Sequence, residues 1–201
     1  MRFLTEELKL DLKKKACQVR MGIIESTHGA KAGHPGGSLS AAEMFAYLYN
    51  KELRVDPKNP RWPDRDRFVL SKGHTAPGLY AALAYRGFFP VEDLPTLRHI
   101  DSYLQGHPNM NTAPVDEKAR AFGFHVVEIN GHDFDEIEKA FAEFHACTDK
   151  PTCILMHTTK GKGVSFMENQ VGWHGKAPND EEYKQAMGEL NAAMAELEAA
   201  K

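Results

Sequence analysis

Apolar positions recur every three or four residues at both ends of the chain, the spacing that predicts amphipathic helices. The first helix is predicted to start after Thr5, a candidate N-cap, and to end near Gly29. The last helix is predicted to start at Asp180. The apolar stripes are Leu8, Leu12, Ala16, Val19 and Ile23 in the first helix, and Tyr183, Met187, Leu190, Met194 and Leu197 in the last.

Three more helices are predicted between these two. The first begins at Ser40, with Ser38 or Ser40 as its cap, and the second runs through residues 79–83. The third follows the candidate cap Asp133. Its inner face is predicted to comprise Ile137, Ala140, Phe141 and Phe144. The polar, proline-rich stretch 56–66 predicts a surface loop.

Three short apolar runs predict strands at residues 67–70, 125–130 and 152–157. Strands that alternate with helices indicate an α/β fold, a parallel sheet flanked by helices. Three strands are few for such a sheet, because both of its faces need cover.

Composition narrows the class of protein. The chain has 201 residues, 42% apolar and 26% charged, which is typical of a single globular domain. A net charge of −3 gives no basic surface for nucleic acid or an acidic membrane. Three cysteines without a CxxC pair favour a reducing interior. No apolar stretch approaches the ~20 residues of a membrane span, and the N-terminus has no signal-peptide pattern, so we expect a cytoplasmic protein.

Four of the ten histidines stand beside glycine in loop-like settings: His34, His74, His107 and His174. In open α/β sheets, ligands bind beyond the carboxyl ends of the strands, where these loops are predicted to lie. Imidazoles there can bind hydroxyl and carbonyl oxygens and exchange protons near neutral pH. The alternative is that surface loops contain histidine and glycine without a function.

Six stretches resemble successive motifs of the transketolase N-terminal domain, in family order. They are residues 31–40, 68–83, 106–108, 121–133, 159–169 and 172–178. The resemblance covers nearly the whole chain. The end of the chain shortly after the helix at Asp180 resembles the short N-terminal subunits that are encoded separately from their C-terminal partners.

The resemblance implies a thiamine-diphosphate-binding-like fold with a reduced number of strands. It implies transfer of a two-carbon ketol unit between sugar phosphates, with thiamine diphosphate as cofactor and the transketolase C-terminal subunit for its partner, usually in an α2β2 assembly. By the same resemblance, His34 and His107 contact oxygens of the donor and the intermediate. His74 and His174 lie near the cofactor and the reacting carbons, as groups that transfer protons or stabilise an oxyanion.

One part of the family pattern is missing. A Gly-Asp-Gly motif and a later Asn hold the Mg²⁺ or Ca²⁺ ion that clamps the diphosphate in the family, and no Gly-Asp-Gly occurs here. The chain is interpreted as one domain, residues 1–201, with an internal deletion near 112–118 and without the main metal and diphosphate ligands, so the activity of this chain is expected to be reduced or absent. No metal ligand is assigned, because Asp133, the nearest substitute, is predicted to be an N-cap. Lys160 and Lys162 are expected to be solvated.

Several alternatives stay open at this point. Either the gene or an engineered form of the protein truly lacks the segment, or the protein has a stretch that the printed sequence omits, or the chain is a natural degenerate paralogue. The chain is either a catalytic subunit or an assembly and regulatory subunit of a transketolase complex. A weaker hypothesis is that the histidine-rich loops hold a transition metal such as zinc.

Overall fold

The computed structural model describes residues 4–104 and 124–200, so His107 and the region 112–118 lie outside the described residues. The helices are α1 (Glu6–Gly29), α2 (Pro35–Leu39), α3 (Ala42–Tyr47), α4 (Ala76–Arg86), α5 (Phe134–Ala146) and α6 (Asp180–Ala199). The strands are β1 (His125–Asn130) and β2 (Thr152–His157). Short 3₁₀ turns at Gly73–Thr75, Val91–Thr96 and Val171–His174 complete the fold, with a π-helical turn at Leu48–Glu52.

Helix α1 is the central helix of the core. The Thr5 hydroxyl accepts a hydrogen bond from the Leu8 amide at 3.2 Å, which confirms the predicted N-cap. Leu12 and Ile23 of the predicted stripe are fully buried. The helix packs against α3, α4 and α6. Leu190, in the predicted stripe of α6, is also buried.

The sheet contains two parallel strands, and their register runs from His125 opposite Thr152 to Asn130 opposite His157. Both strands match their predicted bounds. Val127 and Ile129 alternate with more exposed neighbours and are buried in the same core as Ile137 of α5. The predicted α/β fold with a parallel sheet and flanking helices is confirmed.

The predicted strand at residues 67–70 is wrong. Residues 67–70 form no strand, and within the described ranges only β1 and β2 pair. A strand needs a neighbour for its backbone hydrogen bonds, and this stretch instead borders a cavity of about 310 Å³ opposite Met156 and Thr158 of the β2 side. Phe68 and Leu70 nevertheless pack against the core, which explains their apolar character.

The predicted serine caps are also wrong. Helical structure begins earlier, at Pro35, and breaks before α3. The Ser38 hydroxyl donates to the His34 carbonyl at 3.0 Å, and the Ser40 hydroxyl donates to the Gly37 carbonyl at 2.9 Å. Both hydroxyls thus bond backward along the chain, and neither caps a helix.

The inner face of α5 is correct except at one position. Ile137 and Ala140 are fully buried and Phe141 packs against the core. Phe144 is 41% exposed, so its assignment to the inner face is wrong. It lies near the end of the helix, where its ring contacts Phe141 and His145.

No helix among residues 4–104 and 124–200 is long and apolar enough to cross a membrane.

Candidate functional site

Three of the four predicted site histidines meet in space. The ring centroids of His34 and His74 are 5.2 Å apart, those of His34 and His174 are 5.3 Å apart, and those of His74 and His174 are 5.2 Å apart. The three imidazoles therefore form a nearly equilateral triangle, which we call the histidine cluster. The fourth, His107, lies outside the described residues.

Each histidine is presented by a turn at the end of a helical segment. His34 precedes α2, whose first residue, Pro35, fixes the start of the helix. His74 lies in the 3₁₀ turn Gly73–Thr75 that leads into α4. His174 closes the 3₁₀ turn Val171–His174. The cluster thus joins segments that are far apart in the sequence.

Glycines allow the close approach of these turns. A Cβ atom added at Gly36 would lie 3.1 Å from Cε of Lys160 and from the Trp173 carbonyl. A Cβ atom at Gly37 would lie 3.4 Å from Nε2 of His74. A side chain at Gly36 would therefore require Lys160 or the Trp173 carbonyl to shift by a few tenths of an ångström, whereas one at Gly37 would make ordinary contact with His74.

Two lysines add positive charge beside the cluster. Lys160 Nζ lies 3.1 Å from Nδ1 of His174 in a contact that is open to solvent, so Lys160 has a partner at the cluster that the sequence did not indicate. The Lys72 residue is exposed overall, yet desolvation of its ammonium group and repulsion from Lys160 lower its pKa. Within the described part of the chain, neither lysine pairs with a carboxylate. The site is therefore rich in groups that donate hydrogen bonds to an anion.

A cavity of about 310 Å³ adjoins these residues. Its polar lining includes Lys72, Thr75 and Thr158, and its apolar lining includes Met44 and Met156. Because the cavity shares Lys72 and Thr75 with the turn that carries His74, it extends the cluster toward β2. A small organic ligand would find both charged and apolar contacts there.

The donor set suits the diphosphate of a cofactor better than it suits a metal ion. Ammonium and imidazole groups donate hydrogen bonds to phosphate oxygens. Among residues 4–104 and 124–200, no group of three or more histidine, cysteine, aspartate or glutamate side chains is arranged to hold a metal ion. That result also gives no support to a transition-metal site in the histidine-rich loops. Asp133 caps α5, as predicted, and accepts from the Asp135 and Glu136 amides.

Sequence reasoning missed Lys72, and it missed a buried ion pair, Arg20–Glu43, that contacts His132. Lys72 stands within the family-like motif 68–83, two residues before His74, and that was the available signal. The ion pair joins residues 23 positions apart, and its contact to His132 spans 89 positions. No periodicity in the sequence reports such a contact.

The family described as "Transketolase, thiamine diphosphate binding domain" matches residues 12–119 and 110–196 of this chain. The chain is 31% identical to the 6-deoxy-6-sulfo-D-fructose transketolase subunit SqwG of Clostridium sp. (strain MSTE9), over 92% of this chain and 98% of that subunit. It is 27% identical to a subunit of the apulose-4-phosphate transketolase of Phocaeicola vulgatus, over 96% of this chain and 97% of that one. The first alignment extends over 268 positions, more than the 201 residues of this chain.

Solved transketolases share the fold. The enzyme from Leishmania mexicana matches with a TM-score of 0.75 at 20% identity, over 98% of this chain and 46% of that chain. The enzyme from Campylobacter jejuni matches with a TM-score of 0.77 at 23% identity, over 92% of this chain and 45% of that chain. This chain thus spans slightly less than half of those proteins but nearly all of the two subunits. It belongs to the transketolase family, within which it corresponds to the N-terminal domain that binds thiamine diphosphate.

Proposed function

We propose that this chain is the N-terminal subunit of a two-subunit transketolase and transfers a two-carbon ketol unit together with a C-terminal subunit. The observation that carries the proposal is the histidine cluster, formed by residues from three separate family motifs. Relatives that are themselves named as transketolase subunits match over nearly their whole length. The non-catalytic assembly or regulatory subunit is therefore not favoured.

The roles proposed for the histidines follow their positions. His34 and His107 bind oxygens of the sugar donor, and His74 and His174 lie where a proton is moved or an oxyanion is stabilised. The carbanion chemistry comes from the thiazolium ring of thiamine diphosphate when it is bound. Lys72 and Lys160 offset part of the charge of the diphosphate, since their ammonium groups lie beside the cluster.

The substrates proposed are ketose and aldose sugars that carry an anionic group. The names of the two relatives describe a sulfonated and a phosphorylated ketose. Among sugars that carry an anionic group, sugar phosphates are the class that we propose as substrates. Successive hydroxyl groups on such a sugar give several imidazoles oxygens to bind.

The segment that would hold the metal is proposed to be deleted near residues 112–118. The family match in two pieces, 12–119 and 110–196, supports a break at this place. The alignment with the Clostridium subunit extends over 268 positions, more than the 201 residues of this chain. This length supports a segment in that subunit that has no counterpart here. Without those ligands, the chain is expected to bind Mg²⁺ or Ca²⁺ weakly. The metal should therefore add little to the affinity for the cofactor.

The assembly proposed is an α2β2 complex in the cytoplasm. The relative from Phocaeicola vulgatus is named as one subunit of its transketolase, which supports a partner chain here. The partner's domain would face the histidine cluster and complete the site.

The test is reconstitution with the C-terminal transketolase subunit of the same organism. The purified pair is titrated with thiamine diphosphate, with and without Mg²⁺, by calorimetry, and ketol transfer is followed by a coupled assay. We expect cofactor binding that depends only weakly on Mg²⁺, and transfer that requires both chains. Tight binding that is lost without metal would contradict the deletion of the metal ligands. A pair that binds cofactor without any transfer would contradict catalysis.

A further inference from the structure

A buried polar group lies behind the loop that carries Lys160. Arg20 of α1 donates through Nη2 to both carboxylate oxygens of Glu43 in α3, at 2.7 and 2.8 Å. Nδ1 of His132, just after β1, lies 3.0 Å from Oε2 of Glu43. The three side chains are only 9%, 9% and 13% exposed, in that order, so each needs its partners.

The contacts of His132 determine its tautomer. The backbone amide of Thr159 donates to Nε2 of His132 at 2.7 Å. A backbone N–H can only donate, so Nε2 carries a lone pair and no proton. The proton of the neutral ring then lies on Nδ1, which donates to the Glu43 carboxylate. His132 therefore accepts a hydrogen bond from the Thr159 amide through Nε2 and donates one to Glu43 through Nδ1.

Glu43 is charged in this environment. Burial alone would raise its pKa, but the hydrogen bond from His132 and the charge and hydrogen bonds of Arg20 outweigh burial and lower the pKa. An ionised Glu43 requires a proton on the nitrogen that faces it. The charge of Glu43 thus favours the same His132 tautomer that the Thr159 amide requires.

The hydrogen bonds through His132 end beside the histidine cluster. Thr159 directly precedes Lys160, whose Nζ lies 3.1 Å from Nδ1 of His174. The next residue, Gly161, donates its amide to the Gly36 carbonyl of α2 at 2.9 Å. Arg20 donates through Nε to the Lys162 carbonyl at 2.8 Å. We call residues 159–162 the 159–162 loop. Its backbone is therefore hydrogen-bonded at Thr159, Gly161 and Lys162.

We propose that His132, oriented by Glu43 and Arg20, is a positioning residue that sets the 159–162 loop so that Lys160 reaches His174. His132 acts through the Thr159 amide and does not itself touch the histidine cluster. The effect on ketol transfer rests on the proposed function, but the effect on the loop does not.

A different account is that the buried group only stabilises the fold. In that case its loss lowers the unfolding temperature and leaves the folded loop unchanged. The two accounts differ in the behaviour of the Thr159 amide and of Trp173, the residue before His174. Trp173 is buried, packs against Phe166 and has Lys176 Nζ 4.4 Å above its ring, so its environment reports the position of this edge.

The test compares His132→Leu, which removes both ring nitrogens, with His132→Gln, which can still present an acceptor to the Thr159 amide. The control is His145→Leu, a histidine in α5 that is 62% exposed and bonds Glu52 at 2.9 Å. All three are made in a Trp62→Phe background, because the chain has two tryptophans and Trp173 must be the one observed. Nitrogen NMR of the full-length chain measures the tautomer of His132 and the hydrogen exchange of the Thr159 amide.

We expect an unprotonated Nε2 on His132 in the unsubstituted chain. In His132→Leu, the protection of the Thr159 amide should fall about tenfold, the cost of one buried hydrogen bond, and acrylamide should quench Trp173 more strongly. His132→Gln should restore most of both signals, and His145→Leu should change neither. A protonated Nε2, or equal protection in His132→Leu and the unsubstituted chain, would overturn the proposal. If His132→Leu does not fold, the proposal is still tested by the tautomer of His132 in the unsubstituted chain. It is also tested by the protection of the Thr159 amide and the quenching of Trp173 in His132→Gln.

Affinity for inorganic pyrophosphate, measured by calorimetry, reports the consequence at Lys160. It should fall several-fold in His132→Leu and recover in His132→Gln. If the unsubstituted chain binds no pyrophosphate, the proposed diphosphate site fails, while the NMR and quenching results still judge the positioning role. Equal pyrophosphate affinity in the two His132 variants, both weaker than the unsubstituted chain, would count against positioning through the Thr159 amide.

Discussion

Burial and hydrogen bonding act in opposite directions on the carboxylate of Glu43. Burial disfavours the charged form, whereas His132 and Arg20 favour it, and the pKa is lowered from its ordinary 4.5. A lowered pKa in the folded state means that Glu43 stabilises the fold above about 4.5 and loses this contribution as pH falls through its folded pKa.

This predicts a pH dependence that Glu43→Gln should lack. Near neutral pH, Glu43→Gln should lower the free energy of unfolding by about 1–3 kcal/mol, since the hydrogen bonds from Arg20 and His132 to a charged group are weakened. The difference between the two proteins should shrink as pH falls below about 4.5. Urea denaturation over a series of pH values measures it. A difference that stays constant down to the acid limit would contradict a lowered pKa.

Single residues also show how far sequence reasoning reaches. The loop positions of His34, His74 and His174 were predictable, because each stands in a glycine-containing turn beside a predicted element. Lys160 was recognised, but its contact with His174 was not, because a lysine on a loop carries no sign of its partner. The environment of His132 depends on α1, α3 and β2 at once, and only the folded chain brings these together.

Elements with local signals were predicted well. α1 and α6 have caps and apolar stripes that lie within one segment, and β1 and β2 have continuous apolar runs. Residues 67–70 have the same kind of run, yet pairing depends on a neighbour that is distant in the sequence. Phe68 and Leu70 pack against the core, but Val69 is 75% exposed, so the apolar run indicated core contact at two positions and failed on strand pairing.

The cap of α5 gives a prediction at this scale. The Asp133 carboxylate accepts from the Asp135 amide at 2.8 Å and the Glu136 amide at 3.3 Å. Asp133→Ala should cost about 1 kcal/mol of stability, and Asp133→Asn should retain most of it. Asp64→Ala, at an exposed position with no hydrogen bond in the described structure, is the control. Thermal denaturation of the three variants measures this, and equal midpoints would show that the cap contributes nothing.

The 159–162 loop gives a second prediction. Gly161 has φ of +78°, and an added Cβ atom would overlap the Met167 carbonyl. Gly161→Ala should therefore lower the unfolding free energy by more than about 1 kcal/mol and weaken pyrophosphate binding. The matched control is Gly188→Ala in α6, where a Cβ atom would meet nothing within 4 Å. That change should stabilise the helix by about 0.5–1 kcal/mol, as measured by urea denaturation. Equal effects at the two glycines would contradict the strained turn.

At the scale of the whole molecule, the described sheet has two strands, and a cavity separates β2 from residues 68–72. Large apolar residues remain exposed, among them Val69 at 75%, Ile100 at 97% and Val171 at 81%. A parallel sheet ordinarily has cover on both faces. A partner chain that covers such positions would stabilise the folded state by burying apolar area.

Binding of the partner should therefore stabilise this chain. With free partner at about one hundred times its Kd, the gain is about 2.7 kcal/mol, which raises the unfolding midpoint by several degrees. The measurement is a thermal melt of this chain with the C-terminal subunit, followed through a label on this chain alone. An unrelated protein of similar size at the same concentration is the control. A midpoint that the C-terminal subunit leaves unchanged would count against the complex.

The central claim is that the histidine cluster belongs to a ketol-transfer site formed with a second subunit. Its most direct measurement is the rate of ketol transfer by the reconstituted pair, for the unsubstituted chain, His174→Ala and the surface control His145→Ala. We expect transfer that requires both subunits and thiamine diphosphate, a loss of about 10²–10⁴-fold in His174→Ala, and no change in His145→Ala. Transfer by the C-terminal chain without this one, or an undiminished rate in His174→Ala, would contradict the claim.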